Sequence, residues 1–299
     1  MRQSSGIARI FVNGVGLNCY RMGAGPDVVL IHGLAANLAF WYLPIIPSLA
    51  RWFRVTAFDL RGHGSSEMPD AGYTSAEMAR DLTALLDHLQ IDSAHLVGHS
   101  FGGAVALECA AMFPNRVRTI TVADGRIRSL QPHQKISDWP FRERLQSTLR
   151  ELDLESDQDM DFTLLEKLAH RALLKPPRAV PDDGAFLPFN GWNGGTRNAQ
   201  AWLRLLNRTH ARREFESPDD LTVEVLRAIE HPTLAIYGEY SFCLPSCEGI
   251  RACLRNCEVQ IVPGAGHYHP ARRPKLFTEA VKAFISCHQY CAPEDAIAS

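Results

Sequence analysis

A short turn bounded by glycines constrains the fold of this chain more than any other segment. Gly98, Ser100 and Gly102 follow the apolar run HLV and precede the helix-forming run AVALECAAM. A serine at the apex of such a strand-to-helix bend has a strained backbone, and the residues two before and two after it must be small to avoid collision. Gly98 and Gly102 meet that requirement, and Gly103 eases the packing of the helix. The turn therefore predicts a serine presented at the end of a strand, where it can act as a nucleophile.

Apolar or β-branched runs alternate with amphipathic stretches of helical length along most of the chain. This alternation predicts an α/β fold, a mostly parallel sheet wound with helices. Residues 8–13 and 16–21, joined by Asn13-Gly14, predict an opening antiparallel hairpin. The further strands are predicted at Val28–Ile31, Val55–Phe58, His95–Val97, Thr119–Ala123, Thr233–Tyr237 and Glu258–Val262. Helices are predicted near 39–50, 75–90 (with Thr74 or Ser75 as N-cap), 101–112 and 274–288.

Strand character disappears between about residues 126 and 228. Helical patterns occur in this region near 140–152, 160–174 and 198–210. A loop rich in proline and glycine is predicted at 176–197. The chain therefore divides into an α/β core of residues 1–125 and 229–299 and an inserted helical cap of residues 126–228.

The predicted cap carries several large aromatic side chains and arginines: Trp139, Phe141, Phe162, Phe186, Phe189, Trp192 and Trp202, with Arg126, Arg128, Arg142 and Arg144. One interpretation is an apolar acyl or aromatic pocket with an arginine at its mouth. The other is that most of these aromatic residues hold the cap helices together. The sequence leaves both open.

Composition and charge limit the partners of this chain. The net charge is −2, so there is no basic surplus to neutralise phosphates, which argues against nucleic acid or an anionic membrane as a partner. No stretch reaches 18 apolar residues, and the first residues lack the basic-then-apolar pattern of a signal peptide. We therefore expect a cytoplasmic protein that acts on a small-molecule or carrier-bound substrate.

Six of the eight cysteines lie in the last 57 residues, in pairs spaced four apart: Cys243/Cys247, Cys253/Cys257 and Cys287/Cys291. Zinc sites commonly use the tighter C-x₂-C spacing. The spacing therefore favours free, partly buried thiols in a reducing compartment, with a metal site or disulfides as the alternatives.

Three further motifs accompany the serine turn, at His32-Gly33, at Asp59–Ser66 (DLRGHGSS) and at Gly264–His267 (GAGH). In their order and spacing, the four motifs resemble the α/β-hydrolase superfamily over residues 25–124 and 231–286. The resemblance is to the branch that contains small esterases, thioesterases, C–C bond hydrolases and haloperoxidase-like enzymes. It implies that the backbone N–H groups of Leu34 and Phe101 form an oxyanion hole, and that no metal or organic cofactor is needed.

His267 is the predicted general base. It follows the last predicted strand, so its loop reaches the same sheet edge as Ser100, and an imidazole titrates near working pH and can take and return the proton of Ser100. His269 is a rival two residues away. We interpret His32 and His63 as structural residues of their loops.

The sequence departs from the family at the expected triad acid. The family usually places an aspartate three residues after the glycine that follows strand 7, and here that position is Ser241, three residues after Gly238. A serine cannot supply the negative charge that stabilises an imidazolium. Asp124, at the end of TITVADG, is the favoured replacement, and an oxygen of its carboxylate is expected within about 3.2 Å of His267 Nδ1. Glu239 is the alternative acid, although successive strand-end residues point to opposite sides, and a site without a working acid is the third possibility.

These residues together predict a serine hydrolase that cleaves an ester or thioester of a small or medium apolar acyl group through an acyl-enzyme on Ser100. A serine nucleophile excludes epoxide hydrolase and dehalogenase chemistry, which require a carboxylate at that position. The alternatives on this fold are a C–C bond hydrolase, a lactonase, an acyltransferase, and a lyase or cyclase. A ligand-binding receptor with little turnover is a further alternative, favoured by the missing acid at Ser241.

Overall fold

The computed structural model describes residues 6–43, 45–132, 135–143, 150, 162–174, 189, 195–217 and 220–288. The described strands form one eight-stranded sheet in the order β1-β2-β4-β3-β5-β6-β7-β8. β2 pairs antiparallel with β1 and β4, and every other neighbouring pair is parallel. The strands are β1 (Gly6–Val12), β2 (Val15–Met22), β3 (Asp27–Ile31), β4 (Arg54–Phe58), β5 (Ala94–His99), β6 (Val117–Ala123), β7 (Thr233–Gly238) and β8 (Cys257–Val262). The predicted α/β fold with a mostly parallel sheet and an opening hairpin is confirmed.

The described helices are Ala39–Tyr42, Ile45–Leu49, Ser75–His88, Phe101–Met112, Phe162–Leu174, Gly195–Arg208, Ala211–Glu216, Val223–Arg227, Leu244–Cys253, His269–Arg272 and Pro274–His288. Short 3₁₀ turns occur at Pro114–Arg116 and Ile136–Asp138. The single helix predicted at 39–50 is wrong, because the chain forms two short helices there. Leu43 between them is extended, with φ −127° and ψ 126°. The residue before a proline is disfavoured in the α region, and Pro44 follows Leu43 in the sequence.

The central parallel strands are buried on both faces, and their alternating side chains enter two different hydrophobic clusters. Val29 and Ile31 of β3 pack in the cluster that contains Leu82 and Val105, while Val28 and Leu30 pack in the cluster that contains Phe277 and Val281. This division follows from the period of two along a strand. Helices 75–88 and 101–112 therefore cover one face of the sheet, and helices 45–49 and 274–288 cover the other.

The sheet brings the sequence motifs to one edge. β3 ends immediately before His32, β5 ends immediately before Ser100, and β6 ends immediately before Asp124. The loop that carries His267 follows the end of β8. Because these strands are parallel, their carboxyl ends lie at the same edge, which is where open α/β sheets bind ligands.

The described residues between β6 and β7 form helices and turns and add no strand to the sheet. The helices found at Phe162–Leu174 and Gly195–Arg208 match two of the predicted positions. The boundaries 126 and 228 of the cap stay a prediction, and most of the predicted helix at 140–152 and loop at 176–197 lies outside the described residues. No helix in the described part of the chain combines the length and apolar character that a membrane span requires.

A buried ion pair joins the DLRGHGSS loop to a helix of the core. Arg61 Nε lies 2.6 Å from Asp81 Oδ2, and the two side chains are only 7% and 1% exposed. The pair at Arg80 and Glu77, on the same helix as Asp81, is in contrast 45% and 39% exposed. Charges taken out of water are costly unless they are paired, so the buried contact is essential to the loop.

We expect Asp81→Asn to lower the free energy of unfolding by about 3–5 kcal/mol, because it leaves the guanidinium of Arg61 buried without its counter-ion. Urea denaturation followed by circular dichroism measures this loss. The matched control is Glu77→Gln, which removes an exposed pair and should cost no more than about 1 kcal/mol. Equal losses in the two variants would contradict the role given to the buried pair.

Candidate active site

Ser100 lies at a sharp bend between β5 and the helix Phe101–Met112. Its backbone has φ 54° and ψ −122°, a conformation that side-chain-bearing residues rarely adopt. A Cβ added at Gly98 would lie 2.1 Å from the carbonyl oxygen of Gly102, and one added at Gly102 would lie 2.3 Å from that of Ile31. No side chain fits at either position, so both glycines are required. The sharp turn that they permit leaves Ser100 partly exposed.

The loop after β3 packs directly against the serine. A Cβ at Gly33 would lie 2.8 Å from Ser100 Cβ and 3.3 Å from its Oγ. Gly33 is therefore beside the hydroxyl, and the resemblance places an oxyanion-hole donor at the next residue, Leu34. Phe101 begins the helix that follows Ser100, and its N–H group is one of those without a partner inside a helix.

His32 and His63 hold the surrounding loops. The Nδ1 of His32 lies 2.8 Å from the carbonyl oxygen of Gly33, and its Nε2 accepts the N–H of Leu60 at 3.0 Å. The Nδ1 of His63 lies 2.9 Å from the carbonyl oxygen of Arg61. Burial lowers the pKa of His32 to about 4 and that of His63 to about 3, so both are neutral near pH 7. Their contacts agree with the structural roles expected from the sequence.

Asp124 and His267 lie in contact at the edge of the sheet. Asp124 Oδ1 is 3.1 Å from His267 Nδ1, and Asp124 is fully buried while His267 is almost so. The backbone N–H of Gly238 donates to Asp124 Oδ2 at 2.8 Å, and the hydroxyl of Ser241 donates to Oδ1. Burial alone would raise the pKa of the Asp124 carboxyl, but these hydrogen bonds and the nearby imidazoles outweigh it and hold that pKa below its ordinary value. The carboxylate is therefore charged and directed at the imidazole.

The structure separates Glu239 from this pair. Glu239 is exposed, and its Oε2 accepts the backbone N–H of Gly264 at 2.7 Å. Ser241, two residues later, is in contrast buried and hydrogen-bonded to Asp124. His269, the rival base, is buried with Nε2 3.2 Å from the carbonyl oxygen of Ile236 and 3.5 Å from Asp124 Oδ2. It therefore lies on the other side of the carboxylate from His267.

Several residues around the histidine have no counterpart in the sequence analysis. The Nε2 of His99 lies 2.9 Å from the carbonyl oxygen of His267, and the ring of Phe40 stacks on His99 with centroids 4.5 Å apart. The ring of Phe242 lies 4.7 Å from that of His267. His99 could have been found from its place beside Ser100 in the turn, but Phe40 and Phe242 belong to no motif.

Cys243 adds a thiol to the same cluster. Its Sγ lies 3.8 Å from His267 Nδ1, and burial raises the pKa of the thiol well above its ordinary value. The ligand atoms of Asp124, Cys243 and His267 lie within 4.8 Å of one another, and these three residue types are zinc ligands elsewhere. A cation there would have to displace the contact between the carboxylate and the imidazole. The seven cysteines among the described residues are all free thiols, and five of them are buried.

Trp202, one of the predicted cap aromatics, is linked through Phe215 to the turn at Ser100. Trp202 stacks on Phe215 with centroids 5.7 Å apart, and Phe215 contacts Phe101, the residue after Ser100, at 5.8 Å. The guanidinium of Arg126 donates to the carbonyl oxygen of Gln131, and that of Arg128 donates to the carbonyl oxygen of Phe215. Phe186, Trp192 and Arg144 lie outside the described residues.

The chain belongs to the α/β-hydrolase family. The model of this family, described as the alpha/beta hydrolase fold, matches residues 26–270. The 2-hydroxy-6-oxo-2,4-heptadienoate hydrolase of Pseudomonas putida is 36% identical over 93% of this chain and 95% of its own length. The 2-hydroxymuconate semialdehyde hydrolase of Pseudomonas sp. strain CF600 is 26% identical over 93% of each chain.

The solved structures agree with this assignment. A hydrolase from Pseudomonas aeruginosa PA01 matches with a TM-score of 0.66 at 27% identity, covering 95% of this chain and 99% of its own. Family membership and these relatives together support a hydrolase.

We expect the free energy of unfolding to fall as the pH is lowered from about 6.5 to 5. Burial lowers the pKa of His95 and of His269 to about 4, as it does that of His32, so these imidazoles take up protons in the unfolded chain before they do in the folded one. Each can remove up to about 1.4 kcal/mol per pH unit in that range, until the folded pKa is reached. Urea titrations at pH 7, 6 and 5 measure the slope.

A variant of His95 isolates one of these protons. The Nδ1 of His95 lies 2.9 Å from Thr119 Oγ1, and the amide of His95→Gln can keep a hydrogen bond there. We expect the slope of the unfolding free energy against pH to be smaller in this variant, by the amount that corresponds to about one proton. A stability that is flat between pH 7 and 5 in the unmodified protein would show that these histidines do not govern it.

Proposed function

We propose that the chain is a serine hydrolase in which Ser100 is the nucleophile, His267 the general base and Asp124 the acid of the triad. The observation that carries this proposal is the 3.1 Å contact between Asp124 Oδ1 and His267 Nδ1. It supports an imidazole whose Nδ1 keeps its proton, so that Nε2 is the atom free to accept the proton of a serine. Ser100 lies at the same edge of the sheet, has a strained backbone and is partly exposed, which supports the role of nucleophile.

In the proposed reaction, Ser100 Oγ adds to a carbonyl carbon of the substrate while its proton passes to His267. The backbone N–H groups of Leu34 and Phe101 bind the oxyanion, and the negative charge of Asp124 stabilises the imidazolium. Collapse of the tetrahedral intermediate expels a leaving group, which takes the proton from His267. Water, deprotonated by His267, then attacks the acyl-enzyme and releases a carboxylic acid and free Ser100.

The relatives favour a carbon–carbon bond as the one that is cleaved. The names of the two Pseudomonas enzymes describe a keto acid and an aldehyde acid without an ester group, so the hydrolysis they describe breaks a carbon–carbon bond. We propose the same reaction class here, with a conjugated keto acid as substrate and an enolate as the leaving group. The aromatic contacts from Trp202 through Phe215 to Phe101 support an apolar acyl group, so an ester or thioester of such an acyl group is the second candidate substrate.

We expect Ser100→Ala to abolish turnover while the fold remains, because alanine fits the bend at least as well as serine. The loss should be at least about 10⁴-fold in kcat for any substrate that reacts through an acyl-enzyme. A conjugated 2-hydroxy-6-oxo-dienoate (followed by its loss of absorbance), p-nitrophenyl acetate and an acyl-thioester distinguish the substrate classes. A fluorophosphonate probe should label the unmodified protein and not the variant.

Two outcomes would contradict this proposal. Retention of more than a few per cent of kcat in the Ser100→Ala protein would exclude Ser100 as the nucleophile. Absence of both labelling and turnover in the unmodified protein would favour the ligand-binding receptor.

We expect Asp124→Asn to lower kcat by up to about 10⁴-fold, because an amide allows the wrong tautomer of His267 and supplies no charge. Glu239→Gln is the matched control, since it makes the same chemical change on a carboxylate that is bound to the Gly264 N–H. That control should keep kcat within about twofold, whereas a large loss in it and a small loss in Asp124→Asn would assign the acid to Glu239.

A further inference from the structure

Ser241 lies at the position where related hydrolases carry the acid, and its hydroxyl bonds the carboxylate that lies beside the histidine. The Oγ of Ser241 donates to Asp124 Oδ1, which is the oxygen that contacts His267 Nδ1. The same Oγ accepts the backbone N–H of Cys243 at 2.9 Å. Because an ionised carboxylate can only accept, the single proton of the Ser241 hydroxyl is directed at Asp124, while the same oxygen accepts from Cys243.

The end of β7 thus supplies two donors to one buried carboxylate. The N–H of Gly238 holds Oδ2 and the hydroxyl of Ser241 holds Oδ1, while Ser241 itself is held by its own N–H to the carbonyl oxygen of Gly238 at 3.0 Å. Ser241 is 1% exposed, so it is screened from solvent. Asp124 also has a positive φ of 54°, a backbone conformation that needs support from its surroundings.

We propose that Ser241 is a positioning residue that aims Asp124 at His267. This inference rests on the proposed function, because it assigns the acid to Asp124. Ser241 acts through Asp124 and makes no contact with the reacting atoms.

The positioning role is tested by removing only the hydroxyl of Ser241. We expect Ser241→Ala to lower kcat by about tenfold, the scale of a hydrogen bond to a charged group, with KM little changed. Ser241→Thr, which keeps a hydroxyl, should recover most of that loss.

Ser246→Ala is the matched control for the loss of a buried hydroxyl nearby. The Oγ of Ser246 donates to Gln131 Oε1 at 2.7 Å and accepts the N–H of Ile127 at 3.0 Å, with no bond to the acid. We expect this control to lose stability with its kcat unchanged. A Ser241→Ala protein with unchanged kcat, or a loss of kcat that Ser241→Thr does not recover, would overturn the positioning role.

The positioning role and the proposed function can fail separately. Unchanged kcat in Ser241→Ala, with Ser100→Ala and Asp124→Asn inactive, leaves the proposed triad in place. An active Ser100→Ala protein removes the proposed function itself.

Discussion

Asp124 is a fully buried carboxylate, and the geometry of the candidate site depends on how its charge is satisfied. Taking an unpaired carboxylate out of water is costly, so the group is stable only with donors on both oxygens. Here Gly238 donates to Oδ2 and Ser241 donates to Oδ1, which His267 Nδ1 also contacts. These partners come from β7 and from the loop after β8, so the carboxylate ties together three neighbouring strands. The fold and the candidate site are linked through this one group.

Ser100, the proposed nucleophile, is held by a different physical constraint, that of close backbone contact. The chain at Gly98 and Gly102 passes so near its neighbours that no Cβ fits, and Gly33 brings the next loop against the Ser100 side chain. The positive φ of Ser100 is a strained conformation, and the close packing on both sides holds the residue in it. Electrostatics therefore fixes the acid and the histidine, while sterics fixes the serine.

The proposed serine, histidine and carboxylate are compatible with an ester, a thioester or a ketone as substrate, because in each case the first step is addition to a carbonyl. Contacts outside the motifs would have to distinguish these substrates. Arg128 donates a hydrogen bond to the backbone of Phe215, and Trp202 packs on the ring of the same residue. These side chains of the predicted cap thus pack against other residues of that region, as one of the two sequence interpretations expected, and Phe215 carries that packing to Phe101.

The sequence by itself determined the class of fold and the places of Ser100 and His267, because these depend on local patterns. Alternation of apolar runs predicts a parallel sheet, and small residues around a serine predict the bend wherever a strand meets a helix. It did not predict the break at Leu43, where a following proline outweighs the helical pattern. The positions of Phe40 and Phe242 beside the two histidines also follow from no motif.

Only the tertiary structure decided which carboxylate lies beside His267. Asp124 and Ser241 are 117 residues apart, and their contact depends on the parallel pairing of β6 with β7, which places Ala123 opposite Ile236. The exposed side chain of Glu239 is oriented by a tertiary contact too, since it accepts the N–H of Gly264 in the loop after β8. A sequence can name the residues that are able to carry a charge. Which of them meets the imidazole is set by the sheet, since pairing across strands determines where each side chain ends.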